Sequence, residues 1–274
     1  HAAEIRGFNN GGGAVTFAAQ NILLDNSAAG VVPGAVSPAT GVLAFEGKVI
    51  RFGAGDVKID QFLDVAITGS GGIQVQDSGS LAVSGDSHLK TPLLTGLPAA
   101  SHGIRAGGTL EIESLAGPAT VTPGLGARLS LSGQSVSSNT RITLPGGELT
   151  MQSGSGNVTA GGTIDVSGVS RQYFDLTKFT DAGRIALGST AGSVMVPAGA
   201  SLSVKAMAGG GNAGSLTIDA PAGSVAVNGV LDGSAGSGGR TGSAAVTAGS
   251  LQPLAGLDAL FNTAQFNESR SYRA

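Results

Sequence analysis

A short motif of hydrophobic and polar residues recurs along this chain. In each copy, two apolar residues flank one variable residue, and glycine or serine follows nearby. The motif occurs at residues 73–75, 81–83, 110–112, 129–131, 149–151, 164–166, 185–187, 194–196, 202–204, 216–218 and 225–227. Each copy predicts a very short strand with one buried face. Because such a strand cannot bury its apolar side chains alone, the strands must stack on one another.

The same succession of glycine, serine and apolar positions returns after about 30 residues, as the equivalent positions Ser193 and Ser224 illustrate. Glycine-rich stretches such as residues 209–211 and 236–239 separate the strands and favour corners. The pattern predicts an all-β fold, a parallel β-helix in which each strand pairs with its equivalent one turn later. An antiparallel sandwich also contains short strands between turns, but it does not explain the recurring order.

We expect residues 1–274 to form a single β-helix segment of a longer chain, with longer strands over residues 14–68. Three excursions are predicted, near 88–102, 170–181 and 251–274. The first contains prolines and carries His88 and His102, which we expect to be exposed loop histidines. In the third, Leu254, Leu257, Phe261 and Ala264 are spaced for a short amphipathic helix over about 256–265, with the stripe expected to pack against a coil.

Composition excludes several classes of protein. Glycine contributes 47 of 274 residues, too few and too irregular for collagen. Apolar residues reach 41% and charged residues only 12%, so the chain is expected to fold. The net charge of −3 favours neither nucleic acid nor an anionic membrane surface as a partner, and no apolar run is long enough for membrane insertion as a helix.

Few residues of the chain suggest a catalytic or metal-binding site. Asp56, Asp60 and Asp64, with Lys58 between them, invite comparison with β-helical polysaccharide lyases. On one strand, however, residues four apart lie more than about 10 Å from each other, too far to hold one ion unless a turn intervenes. No nucleophile elbow, phosphate-binding loop or calcium-binding tandem repeat is present. The sequence predicts no catalytic residue, no metal site and no cofactor.

Aromatic residues gather in the second excursion, as Tyr173, Phe174 and Phe179. They either cover the side of the coil or form an exposed binding surface. We treat these three as candidate binding residues for a host or bacterial surface receptor or a glycan.

Three segments resemble repeats of the filamentous haemagglutinin family of large bacterial exoproteins: residues 162–168 (GTIDVSG), 214–220 (GSLTIDA) and 223–229 (GSVAVNG). The resemblance is strongest over residues 147–250. It implies a right-handed parallel β-helix, secretion to the cell surface by an outer-membrane two-partner-secretion transporter, and a role as an adhesin or as the shaft of a contact-dependent toxin. The Asn-Pro-rich motifs of the family's secretion domain are missing, so the transporter would recognise regions outside this segment.

The leading hypothesis is a non-enzymatic rod segment of a secreted bacterial surface adhesin that mediates attachment. The alternative is a β-helical carbohydrate-active enzyme of lyase or hydrolase type, which requires acidic and basic residues of adjacent coils to converge. A third possibility is the passenger of a classical autotransporter, which would share the rod.

Overall fold

The computed structural model describes residues 1–8, 11–31 and 40–274. In these residues, 23 strands form one sheet and two further strands form a separate hairpin. Every strand pairing within the large sheet is parallel, which confirms the predicted β-helix and excludes the antiparallel sandwich.

In chain order the strands are β1 (Glu4–Arg6), β2 (Ala14–Leu24), β3 (Val42–Phe52), β4 (Gly55–Asp60), β5 (Asp64–Val75), β6 (Ser78–Val83), β7 (Asp86–Thr91), β8 (Leu94–Gly96), β9 (Ser101–Ala106), β10 (Thr109–Ser114), β11 (Arg128–Gly133), β12 (Ser135–Ser138), β13 (Arg141–Thr143), β14 (Glu148–Ser153), β15 (Val158–Ala160), β16 (Thr163–Asp165), β17 (Ser170–Tyr173), β18 (Leu176–Phe179), β19 (Arg184–Ser189), β20 (Val194–Val196), β21 (Ser201–Ser203), β22 (Ser215–Val227), β23 (Val230–Asp232), β24 (Ser243–Leu251) and β25 (Ser269–Arg273). One helix, α1 (Leu254–Thr263), lies between β24 and β25.

The strands stack into three faces that the chain visits in turn. Face A runs through β1, β4, β6, β9, β11, β14, β19, the first parts of β22 and β24, and β25. Face B includes β7, β10, β12, β15 and β20, and face C includes β8, β13, β16, β21 and β23. As predicted, the strands over residues 14–68 are long: β2, β3 and β5 each continue from face B into face C.

Apolar side chains form continuous columns inside the coil, because equivalent positions of successive strands stack in register. One column on face A consists of Val57, Leu81, Ile104, Leu131, Met151, Leu187, Ile218 and Val246. All eight side chains are at most 4% exposed. Alternation along each strand therefore places one side chain in the core and the next at the surface.

The repeat length varies more than the sequence indicates. Ser193 and Ser224 stack 31 residues apart, which agrees with the predicted repeat. Asp56 and Ser80 stack only 24 residues apart, whereas Asn157 and Ser193 are separated by 36 because the hairpin of β17 and β18 is inserted between them. Insertions at the corners thus lengthen a coil without changing the pairing of its strands.

The predicted excursion near 88–102 is wrong. These residues form β7, β8 and the start of β9, all of which pair with neighbouring coils. Pro92 and Pro98 lie between these strands, where proline interrupts no ladder hydrogen bond. The prolines therefore mark two corners of the coil. An excursion that was not predicted lies instead between β10 and β11, where the chain forms no strand. On face C, β8 therefore pairs directly with β13 of a later coil.

The other two excursions are present. Residues 170–179 form the antiparallel hairpin of β17 and β18. Beyond residue 251 the chain leaves the sheet and forms α1. It then returns as β25, which pairs with β24. Leu257 and Phe261 of α1 are fully buried, as their helical spacing predicts, while Leu254 remains half exposed. In the described residues, no helix has the length and apolar character needed to cross a bilayer.

Candidate functional site

The hairpin of β17 and β18 leaves the solenoid between β16 and β19, and its base is closed by hydrogen bonds. The backbone N–H of Thr180 donates to the carbonyl of Val169 at 2.9 Å. The N–H of Val169 donates to the Thr180 hydroxyl oxygen, also at 2.9 Å. These bonds root the hairpin in the corner of one coil.

Phe179 ties the hairpin to the adjacent glycine-rich corner. A Cβ atom built on Gly209 would lie 2.5 Å from Phe179 Cζ, and one on Gly210 would lie 3.0 Å from Cδ2. The ring therefore packs directly on a backbone without side chains, a contact that only glycine permits at this distance. Phe179 is accordingly the least exposed of the three candidate aromatic residues, at 37%.

A second attachment joins Asp181, just after the hairpin, to Asn212 in the same glycine-rich corner. The backbone N–H and side-chain amide of Asn212 donate to the two carboxylate oxygens of Asp181, at 2.7 and 3.2 Å. These bonds lower the pKa of Asp181 below its ordinary value, because they stabilise the ionised carboxylate. The side-chain oxygen Oδ1 of Asn212 in turn accepts a hydrogen bond from the backbone N–H of Arg240 at 3.0 Å, which links three successive coils.

The register of the hairpin divides its side chains between two faces. Arg171 pairs with Lys178 and Tyr173 with Leu176, and directly opposed residues share a face. Ser170 and Phe179 belong to the other face. Because Phe179 packs on the solenoid, the face that carries Arg171, Tyr173, Leu176 and Lys178 is turned away from it.

The tip of the hairpin exposes an aromatic side chain in an unusual backbone conformation. Tyr173 and Leu176 enclose a two-residue turn whose first residue, Phe174, has a φ of +51° and is 100% exposed. Such turns favour glycine or asparagine, and a bulky residue with positive φ costs on the order of 1 kcal/mol or more. The Gln172 side-chain amide donates to the Phe174 carbonyl at 2.6 Å and braces the turn.

The outward face carries two neighbouring cations. Arg171 Cζ lies 5.7 Å from the centre of the Tyr173 ring, a cation–π distance. Throughout the described ranges, no ion pair includes Arg171 or Lys178. Like charges directly opposed across two strands are destabilising, so this pair does not contribute to the stability of the hairpin.

The structure thus separates the three candidate binding residues. Tyr173 and Phe174 lie together at the exposed tip, whereas Phe179 anchors the root of the hairpin. Sequence reasoning missed Arg171, Leu176 and Lys178, which complete the outward face. An alternating reading of residues 170–179 as two short strands around a turn at Phe174 and Asp175 could have found them.

The three aspartates considered for an enzyme have separate partners. Asp56 accepts a hydrogen bond from the Ser80 hydroxyl at 2.6 Å, Asp60 lies 3.6 Å from Arg6, and Asp64 lies 3.5 Å from His88. Across the described parts of the chain, no group of three or more His, Cys, Asp or Glu side chains is arranged to hold a metal ion.

The two internal histidines are not in loops, contrary to expectation. His88 on β7 lies between Asp64 and Glu111, with 3.2 Å from Nδ1 to the Glu111 carboxylate. His102 on β9 is only 5% exposed and stacks on Phe52, and neither of its ring nitrogens has a hydrogen-bond partner. Burial lowers the pKa of His102 to about 4. Neither histidine lies in the hairpin.

No family model matches this chain, and comparison with curated proteins and with solved structures gives no significant match.

Proposed function

We propose that this chain is a structural segment of a secreted bacterial surface exoprotein, a β-helical rod that mediates attachment through the hairpin formed by β17 and β18. One observation carries the proposal: the rod holds Tyr173, Phe174 and Leu176 exposed at the tip of a hairpin whose root is firmly packed. Exposed aromatic residues on a rooted arm are typical of contact surfaces.

The conformation of Phe174 supports this role. A turn residue selected only for folding would be glycine or asparagine, because either adopts positive φ at lower cost. Phenylalanine at this position exposes its whole ring and makes the turn less stable. Contact with another surface offsets that cost, since the ring is then buried.

The resemblance of residues 162–168, 214–220 and 223–229 to filamentous haemagglutinin repeats supports the rest of the proposal. This part of the proposal is that the protein is displayed at the cell surface and exported by an outer-membrane two-partner-secretion transporter, which recognises regions outside these 274 residues. No catalytic role is proposed, since Asp56, Asp60 and Asp64 engage different partners.

Bead adhesion tests the proposal. Beads coated with the purified chain are applied to epithelial-cell layers and to bacterial-cell layers, and the retained beads are counted. We expect retention above albumin-coated beads on at least one layer, and a loss of about tenfold or more with the double variant Tyr173→Ser/Phe174→Gly.

The matched control is Met195→Ser/Val230→Ser, which removes two exposed apolar side chains from the sides of the rod. This variant should adhere like the original chain. Retention no better than albumin on both layers, or equal loss in the two variants, would refute attachment through the hairpin.

A further inference from the structure

The corner between β22 and β23 consists of Asn228 and Gly229. The Asn228 side chain is exposed, and no hydrogen bond within the described residues restrains its amide group. In such a pair, the backbone nitrogen of the second residue can reach the side-chain carbonyl carbon of the first and close a five-membered ring. Glycine favours this attack, because it carries no Cβ that would crowd its own nitrogen or restrict its backbone. The corner therefore places a reactive amide beside its nucleophile.

Backbone hydrogen bonds hold both sides of the corner but leave the nucleophile free. The N–H of Asn228 donates to the carbonyl of Val196 at 2.8 Å, and the N–H of Val230 donates to the carbonyl of Ala200, also at 2.8 Å. Within the described parts of the chain, the Gly229 N–H between them has no hydrogen-bond partner. It can therefore lose its proton without breaking a hydrogen bond of the coil.

Asn139 occupies the same kind of corner but is held in place. It directly follows β12 on face B, just as Asn228 directly follows β22. Its side-chain oxygen accepts a hydrogen bond from the Ser114 N–H at 2.7 Å. The next residue, Thr140, is 1% exposed, and its hydroxyl donates to the Thr91 carbonyl at 2.6 Å. Asn139 is thus an internal reference whose amide and whose neighbour are both restrained.

Close packing requires glycine at the second position of the Asn228 corner. A Cβ atom on Gly229 would lie 2.7 Å from the carbonyl oxygen of Ala200 and 2.9 Å from Cγ1 of Val196. No larger residue fits without displacing the preceding coil. The same lack of space affects the reaction product. An isoaspartyl linkage lengthens the backbone by one atom, at a corner whose flanking strands are both paired in register.

We propose that Asn228 is a site of spontaneous deamidation and backbone isomerisation. The Gly229 nitrogen, after loss of its proton to hydroxide, bonds to the side-chain carbonyl carbon of Asn228, and ammonia leaves. Water then opens the cyclic imide at either carbonyl, which gives aspartate or the β-linked isoaspartate. One water is consumed and one ammonia is released, so no other reactant is needed. The inference does not depend on the proposed attachment function.

Ageing of the purified 274-residue chain in mildly alkaline buffer tests the proposal. Samples taken over time are digested with trypsin and analysed by tandem mass spectrometry, which locates each amide that has become an acid. A sample digested at once corrects for conversion during digestion, and electron-transfer fragmentation distinguishes isoaspartate from aspartate. We expect Asn228 to convert at least about tenfold faster than Asn139, because Asn139 is restrained and precedes a β-branched residue. Asn10 also precedes a glycine, but it lies outside the described residues and in another tryptic peptide.

Asn228→Gln is the matched variant. Its longer side chain would have to close a less favourable six-membered ring, so position 228 should remain unconverted over the same period while Asn139 behaves as in the original chain. Circular dichroism before and after ageing verifies that the coil stays folded. Equal conversion of Asn228 and Asn139, or conversion of Asn228 only after unfolding in urea, would overturn the proposal. Aspartate without any isoaspartate would overturn the backbone isomerisation.

Discussion

His102 occupies an interior position that adjacent coils fill with glycine and leucine. Its register partners are Gly79 in one coil and Leu129 in the next, and both ring nitrogens lack a hydrogen-bond partner. Only the neutral imidazole suits this site, since a charged ring would be buried without compensation. Nearby Asp56 raises the pKa, but burial is the larger effect and brings it to about 4.

The stability of the fold should depend on pH through His102. The unfolded chain protonates His102 near pH 6.5, whereas the folded chain resists protonation down to about 4. Stability attributed to His102 is therefore complete above pH 6.5 and falls as the pH drops to about 4, by roughly 3 kcal/mol. Urea unfolding of the chain and of His102→Leu at pH 7, 5.5 and 4 measures the difference.

The leucine variant should lose less stability on acidification than the original chain. His102→Leu should change the pH dependence of stability by the same amount when both proteins also carry His88→Gln. His88 lies on another face of the coil, so its titration should not alter the effect of His102. Identical pH profiles with and without His102 would show that its protonation is not linked to folding.

At the scale of single elements, the corner that precedes face A is built from stacked glycines. A Cβ atom on Gly183 would lie 1.7 Å from the carbonyl oxygen of Gly147, and one on Gly214 would lie 1.8 Å from that of Gly183. Real Cβ atoms do not approach backbone oxygens so closely, so these corners require glycine to let successive coils stack. Space, rather than backbone flexibility, accounts for glycine here.

We expect Gly183→Ala to lower the free energy of unfolding by about 3 kcal/mol, because two stacked coils must separate. Gly256→Ala in α1 is the matched control: a Cβ there meets nothing within 4 Å, and alanine favours the helix by about 1 kcal/mol. Chemical denaturation of both variants measures the changes. A neutral Gly183→Ala variant would mean that the corner adjusts without cost.

For the whole molecule, the two ends of the rod differ. Within the described residues, β2 pairs only with β3, and its Phe17 is 51% exposed although it stacks on Phe45 at 5.6 Å. At the other end, Phe261 of α1 and Phe266 pack edge to face in the core. In a stack whose coils contact only their neighbours, the less covered end opens first.

Hydrogen exchange followed by mass spectrometry checks this asymmetry. Backbone amides of β2 should exchange at least about tenfold faster than those of β11 in the middle of the rod, with β24 in between. Substitution of Phe261 by alanine should raise exchange in β24 and leave β2 unchanged. Uniform exchange along the rod would indicate a single cooperative unit instead.

The coil, the columns of its core and the position of two excursions could be predicted from the amino-acid sequence, because alternation and glycine spacing are local properties that repeat in each turn. The sequence also pointed to Tyr173 and Phe174. The folded structure was needed to show that Pro92 and Pro98 mark corners, that His102 is buried, and that Phe179 anchors the hairpin while Arg171 opposes Lys178. These features depend on which coil stacks beside which segment, and inserted loops vary that pairing without any regular signal in the chain.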